Sequence, residues 1–199
     1  MNAYKIGPLS AHPELYLCEK EQGLQPIDTF DLFISSENNF ICNWQLLKMW
    51  KRKLTVVDCM KPIYKELKQS SLSKEHLIEV SNAARDIHGL LDGSNIHLEF
   101  STDEINNAKN DLSKMGINVD DEYVLVLNRG QKYLNECIPD MDFSYHEHRN
   151  VSIKDFIPIA EKLTSLGYYI IRVGHKVSDY METDNPKIID YDNCGFRTE

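Results

Sequence analysis

Tyr123 to Leu127 (YVLVL) is an unbroken apolar run, with Asp120, Asp121 and Glu122 before it and Asn128, Arg129 and Gly130 after it. A strand that faces water on one side alternates apolar and polar residues, so the lack of alternation predicts a strand buried on both faces of a parallel sheet. Downstream, Ile153, Phe156, Ile157, Ala160 and Leu163 line one helical face, Ser152 to Asp155 is an S-x-x-D start, and Gly167 takes the C′ position. A second apolar run, Tyr168 to Gly174 (YYIIRVG), follows, and Lys187 to Asp190 (KIID) reads as a third strand. Strand, long loop, helix and strand in that order make a right-handed crossover. Arg129 and Gly174 then share the carboxyl edge of the sheet, where such sheets hold ligands.

The first half alternates more weakly. Asp31 to Ile34 and Leu54 to Val57 read as short strands. A helix is expected to start at His12-Pro13-Glu14, with Pro13 at its first position and Gly23 at its end, and another to run from about Cys42 to Lys53. Leu77, Val80, Ala84, Ile87 and Leu91 form one stripe of a long helix capped by Ser73, and Ile96 to Phe100 is a strand candidate. Ser101 to Glu104 is a capping-box pattern ahead of Ile105, Ala108, Leu112 and Met115. At 199 residues the chain accommodates two small α/β domains, predicted at 1–117 and 118–199 with the polar stretch 118–122 as their boundary.

Composition removes several function classes. A net charge of −9 opposes nonspecific nucleic-acid binding, which needs a cationic face. No apolar run approaches the ~20 residues of a membrane span, and MNAYKIGPLSAHPE lacks the order of a signal peptide, so a cytoplasmic protein is expected. Five widely spaced cysteines without a C-x-x-C pair indicate neither a disulfide framework nor a zinc site. Dinucleotide, P-loop and serine-hydrolase signatures are absent. The basic run Lys48 to Lys53 reads as a solvated helix end that offsets the macrodipole, with a ligand or peripheral lipid-headgroup contact as the alternative. Trp44 and Trp50 read as core anchors.

The candidate chemistry gathers at the expected carboxyl edge. Arg129 is placed to hold a phosphate bidentately, or else to cap the strand edge or pair with Glu122. Tyr145, His146, His148 and Arg149 lie on the long loop, a length that marks functional or disordered segments. His146 is a candidate general base for an acceptor hydroxyl. His146 and His148 with Asp140 or Asp142 are too few for a metal site, so no metal is assigned. Gly174 and His175 end the second run, where glycine permits close approach of a ligand or merely makes a turn. Asp190 is placed either to accept from a ribose hydroxyl or to cap the next turn.

Several motifs in order resemble a family of bacterial glycosyltransferases from surface-carbohydrate biosynthesis clusters. Asp142, Ser144, Tyr145, His146, Arg149 and Asn150 match its D-x-S-Y-H-x-x-R loop followed by N or D. Ile153, Phe156, Ile157 and Pro158 match its next helix, and Gly167, Tyr168, Ile171, Arg172 and Gly174 its G-Y-x-V-I-R-x-G strand. IIDYDNCGFRTE is similar to the family's closing I-I-D-Y-x-x-S-G-x-R, which includes Arg197, and IGPLSAHPELYLCEK and FICNWQLLKMWKRKL resemble its amino-terminal motifs. Pro8 stands where the family commonly has a histidine. The resemblance implies two Rossmann-like halves of GT-B type, the second incomplete because the family's later strands would lie beyond Glu199. It implies a nucleotide-sugar donor and a carbohydrate acceptor, with Arg129 stabilising the leaving diphosphate, as an arginine does in fucosyltransferase-like relatives. Tyr145, Arg149, Gly174, His175, Asp190 and Arg197 would bind substrate, and neither metal nor other cofactor is required. The alternative is a truncated remnant that binds a nucleotide or partner without turnover.

Overall fold

The computed structural model describes residues 1–199 apart from 2, 37–39, 79–85, 129–131, 138–141, 143, 175–176, 178 and 196–199, and apart from the side chains of Leu134, Cys137 and His146. Its contacts divide into two compact units, Met1–Ser101 and Thr102–Glu199. That division falls ahead of the expected boundary at 117/118. The helix Thr102–Lys114 (α5, numbered in chain order below) goes with the second unit because Leu112, Met115 and Ile117 pack on Ile171 and Ile189 of the sheet.

In the first unit, α1 (Ile6–Glu21) starts earlier than the sequence predicts, and Pro13 lies inside it rather than at its start. A proline within a helix removes the amide that would bond the carbonyl four residues back, here Leu9. The indole Nε1 of Trp50 donates to that carbonyl at 2.8 Å, wholly inside the core. The remote tryptophan thus supplies what the proline removes, and the helix runs on. Trp50 belongs to α2 (Trp44–Lys51), whose cap Asn43 accepts from Leu46 N at 2.8 Å. With Ala3, Leu9, Tyr16, Ile41, Leu47 and Leu54 it forms the core of this unit, whereas Trp44 is 66% exposed and anchors nothing.

The two strands expected in this unit reduce to a single parallel bridge, Phe33 to Val56. Phe33 N donates to Thr55 O, Val57 N to Phe33 O, and Ala3 N to Ser35 O. Asp31 is drawn away from any ladder by Tyr16, Lys20 and Thr29. A helix the sequence reading did not predict, α3 (Lys61–Gln69), has Pro62 in its first turn. Of the long helix expected from Ser73, α4 (Ser73–His76) is one turn, and Val80 and Ala84 of its stripe lie outside the described residues. Leu77 leaves it extended, and Asp86 instead accepts from Leu90 N and Leu91 N, so residues 86–91 form a turn. Residues 96–100 form no strand, and Ile96 and Phe100 are exposed.

The second unit follows the sequence reading closely. β1 (Tyr123–Leu127), β2 (Tyr169–Val173) and β3 (Ile188–Asp190) form one sheet in that order, parallel throughout. A short helix α6 (Lys132–Cys137) follows β1. A 3-10 turn (Ile153–Phe156) then leads into α7 (Ile157–Ser165) between β1 and β2. Ser152 caps it by accepting from Lys154 N. At the far end Gly167 sits at φ 110°, and the N–H of Tyr168 reaches back to Leu163 O. A side chain at Gly167 would strain that C′ turn.

Val124, Val126, Ile170 and Ile188 face α7 and join Ile153 and Ala160 in one core. The opposite face is covered only over β2 and β3, by Ile117 with Leu112 and Met115. Tyr123, Leu125 and Leu127 are therefore exposed. The expectation that β1 is buried on both faces does not hold: it is an edge strand with one open face.

Candidate functional site

The carboxyl ends of the three strands meet in a polar network that the apolar runs do not announce. Arg172, the one charged residue of β2, stands in register with Val126 on one side and Asp190 on the other. Its side chain is 1% exposed. Nη1 donates to Asp190 Oδ1 at 3.0 Å and to Oδ2 at 3.3 Å, while Nη2 donates to Asn128 Oδ1 at 3.2 Å. Asp190 Oδ2 also accepts from Met181 N at 2.9 Å. Asn128 Nδ2 donates to Val151 O at 3.0 Å, which ties both ends of the long loop to the strand end. A buried charge requires a partner of opposite sign and saturated hydrogen bonds. Arg172 meets that requirement except at Nε, a buried N–H without a partner among the described residues.

The predicted residues distribute unevenly about this network. Arg129, His175 and Arg197 lie outside the described residues, as does the side chain of His146, whose backbone is in a 3-10 turn (Ser144–Arg149). Tyr145 and Arg149 are exposed on that turn. Asp142 starts it, accepting from Ser144 N at 2.8 Å and from Ser144 Oγ at 3.1 Å. These bonds hold its carboxyl below the usual range, the backbone N–H foremost, and commit Asp142 to capping. Asp190 is held by Arg172 and Met181, while its backbone carbonyl accepts from Asn193 N and Cys194 N. Its carboxylate thus caps no part of the following turn and is committed to the ion pair.

Gly174 follows β2 directly. A Cβ there would come within 2.8 Å of Val177 Cγ1 and 3.9 Å of Arg172 Nε. The glycine is required by close packing of its own chain beside the guanidinium. Arg172 was part of a recognised motif but had no assigned role, and Asn128 had none either. The readable signal was a lone cation inside an apolar run, which in a buried strand must meet a counter-charge.

The first unit holds a cleft of about 440 Å³, lined by Phe33, Ile34, Met60, Ile63, Tyr64 and Leu67 among others. His12 also lines it, and its Nε2 is buried without a partner among the described residues. Burial, then the nearby amino terminus, lowers the His12 pKa, so its imidazole is neutral at pH 7 and offers one nitrogen to the cleft. Among the described residues, one group has the composition of a metal site: Glu14, Cys18 and His97. No helix of the described residues is long and apolar enough to cross a membrane. Comparison of the chain with protein-family models, curated proteins and solved structures gives no match.

Proposed function

We propose that the chain is a glycosyltransferase of two-domain GT-B type that takes a nucleotide-activated sugar at the carboxyl edge of the β1–β2–β3 sheet and transfers the sugar to a surface-carbohydrate acceptor. One observation carries the reading: a guanidinium is fixed at that edge with an N–H unpartnered among the described residues, beside a glycine that keeps the backbone close. Open parallel sheets bind ligands outside their carboxyl ends, and preorganised cations there stabilise a departing diphosphate. Arg129 directly follows Asn128 of the network and in this reading contacts the phosphates. Arg149 and Tyr145, exposed on the loop that Asn128 and Val151 close, supply further donor contacts. His146 on the same loop takes the proton of the acceptor hydroxyl. In this scheme the charge of the leaving group is met by arginine rather than by a metal ion.

A reading without turnover is favoured by the state of Asp190. Its carboxylate is engaged by Arg172, so the edge has given up a potential ribose contact. Calorimetric titration with UDP-, GDP- and CDP-sugars separates the outcomes. Binding of one of them, weakened roughly 10- to 100-fold by Arg129→Ala, is expected for loss of a charge-assisted phosphate contact. Equal binding by both proteins removes Arg129 from the site, and no binding of any donor by the wild type overturns the proposal. Release of free nucleoside diphosphate with a carbohydrate acceptor present identifies transfer, and its absence despite binding identifies the binding module.

A further inference from the structure

Glu14, Cys18 and Glu21 recur at i, i+4 and i+7 in α1, which places them on one helix face. His97, remote in sequence, lies against that face. Its Nδ1 is 3.0 Å from Glu14 Oε1 and its Nε2 is 3.2 Å from Glu21 Oε1. The Glu14 oxygen, the Cys18 sulfur and a His97 ring nitrogen all lie within 4.8 Å of one another. Cys18 is a free cysteine, 1% exposed, and the His97 and Glu14 side chains are mostly buried.

A neutral imidazole donates one N–H. With Nε2–H directed at Glu21, the Nδ1 lone pair faces a carboxylate oxygen at hydrogen-bonding distance. A second proton, on the ring or on the carboxyl, or a cation then lies between them. The sulfur at the third corner distinguishes the two, because a proton there makes no use of it and a borderline-soft cation does. Glu21 meanwhile stands where the outer carboxylate of a carboxylate–imidazole–metal arrangement stands. The Ser94 hydroxyl is buried with no well-formed hydrogen bond among the described residues and lies beside the Cys18 sulfur, placed to donate to it once that sulfur is bound to metal.

We propose that Glu14, Cys18 and His97 bind a zinc ion, with Glu21 orienting His97 and a water completing the coordination. The mixed oxygen, sulfur and nitrogen set suits Zn²⁺, whereas Mg²⁺ and Ca²⁺ take oxygen ligands. Ligands of a tetrahedral zinc are separated by roughly 3.3–3.8 Å, given bond lengths of about 2.0–2.3 Å. The 3.0 Å between Glu14 Oε1 and His97 Nδ1 therefore opens slightly, while the sulfur, no more than 4.8 Å from either ligand atom, draws in. Binding converts the Cys18 thiol to a thiolate and releases its proton to solvent, so one carboxylate and one thiolate neutralise the dication. The ion would pin residues 96–100, which form no strand, to α1.

Untagged protein stripped with a chelator and titrated with cobalt and then zinc chloride tests the site. One equivalent of Co²⁺ is expected to give a sulfur-to-cobalt charge-transfer band that Zn²⁺ abolishes. Cys18→Ser should lose the band and weaken zinc binding by roughly 100-fold or more, while Glu21→Gln keeps the band and weakens binding about 10- to 100-fold. The exposed Cys59 is the control, and Cys59→Ser should bind like the wild type. His97→Gln, with its fold checked by circular dichroism, repeats the test should Cys18→Ser fail to fold. Absence of the band in the wild type, or zinc affinity equal in the wild type and either ligand variant, overturns the proposal and leaves His97 as a hydrogen-bonded bridge between two carboxylates.

Discussion

The Leu9 carbonyl decides whether α1 is one helix or two. It is buried, its usual donor is missing at Pro13, and the indole of Trp50 supplies the replacement at 2.8 Å. Leaving a buried acceptor unsatisfied costs about 1–3 kcal/mol. Trp50→Phe should therefore destabilise the first unit by that amount beyond its loss of packing, measured by urea unfolding. Pro13→Ala restores an amide to the Leu9 carbonyl, so the cost of Trp50→Phe should fall in the Pro13→Ala background, with a coupling of about 1 kcal/mol in a double-mutant cycle. Additive costs would mean that the indole bond carries no weight. Asp31 offers a second test. Burial alone would raise its pKa, but bonds from Lys20, Tyr16 and Thr29 outweigh that and hold it below its ordinary value. A carboxyl depressed in the folded state contributes stability above the unfolded pKa and loses it as pH falls through the folded one. Acid titration of stability should therefore show a decline that begins near the ordinary carboxylate range and continues below it. Asp31→Asn should remove that part of the decline and cost about 1.5–3 kcal/mol at pH 7, the range for bonds to a charged group.

At the scale of elements, the three strands of the second unit are joined at their carboxyl ends by Asn128, Arg172 and Asp190. Removing one partner of a buried ion pair strands the other and costs about 3–5 kcal/mol, whereas an apolar replacement of both is often neutral. Arg172→Met is expected to destabilise the second unit by that amount in guanidinium unfolding, and Arg172→Met with Asp190→Leu to recover most of it. If the double variant is no better than the single one, the network specifies the fold through Asn128 and Met181 instead. This half was legible because its signals are local. An unbroken apolar run, an S-x-x-D start and a glycine at C′ each act within a few residues and do not depend on what lies elsewhere. The first half was not, because its decisive contacts are remote: Trp50 reaches Leu9, and His97 reaches Glu14. Pro13 looked like a helix start because nothing nearby showed the indole that lets the helix continue. The i, i+4 spacing of Glu14 and Cys18 meant nothing without His97. The Ile87 and Leu91 stripe had the right period, but Asp86 captured the Leu90 and Leu91 amides in a turn. Arg172 is visible in the sequence, but its pairing with Asp190 is not, since register is fixed only by the sheet.

The chain as a whole sets a net charge of −9 against a surface that displays large apolar side chains. Phe30 is 81% exposed, Ile96 82% and Leu127 70%, and Tyr123 and Leu125 continue the open strip of β1. Scattered apolar residues are ordinary, but a strip on an edge strand is a surface on which other chains associate. Mutual repulsion opposes that association at neutral pH, and it vanishes at the isoelectric point, about 5.3. Light scattering at fixed ionic strength should therefore rise as pH falls toward about 5.3. Raising salt at pH 7 should produce a weaker version of the same rise, since at 0.15 M the screening length is only about 8 Å. The rise near pH 5.3 should precede acid unfolding, because Asp31 and Asp58 are both held below the ordinary carboxylate value of 3.8 and remain charged there. Leu125→Lys with Leu127→Lys places cations on the open face of β1 without touching its buried Val126, so stability should be preserved. If the strip drives association, the double variant should scatter less than the wild type when each is held at its own isoelectric point. Scattering that follows net charge alone, equal for both proteins at zero charge, would show that the open face of β1 takes no part.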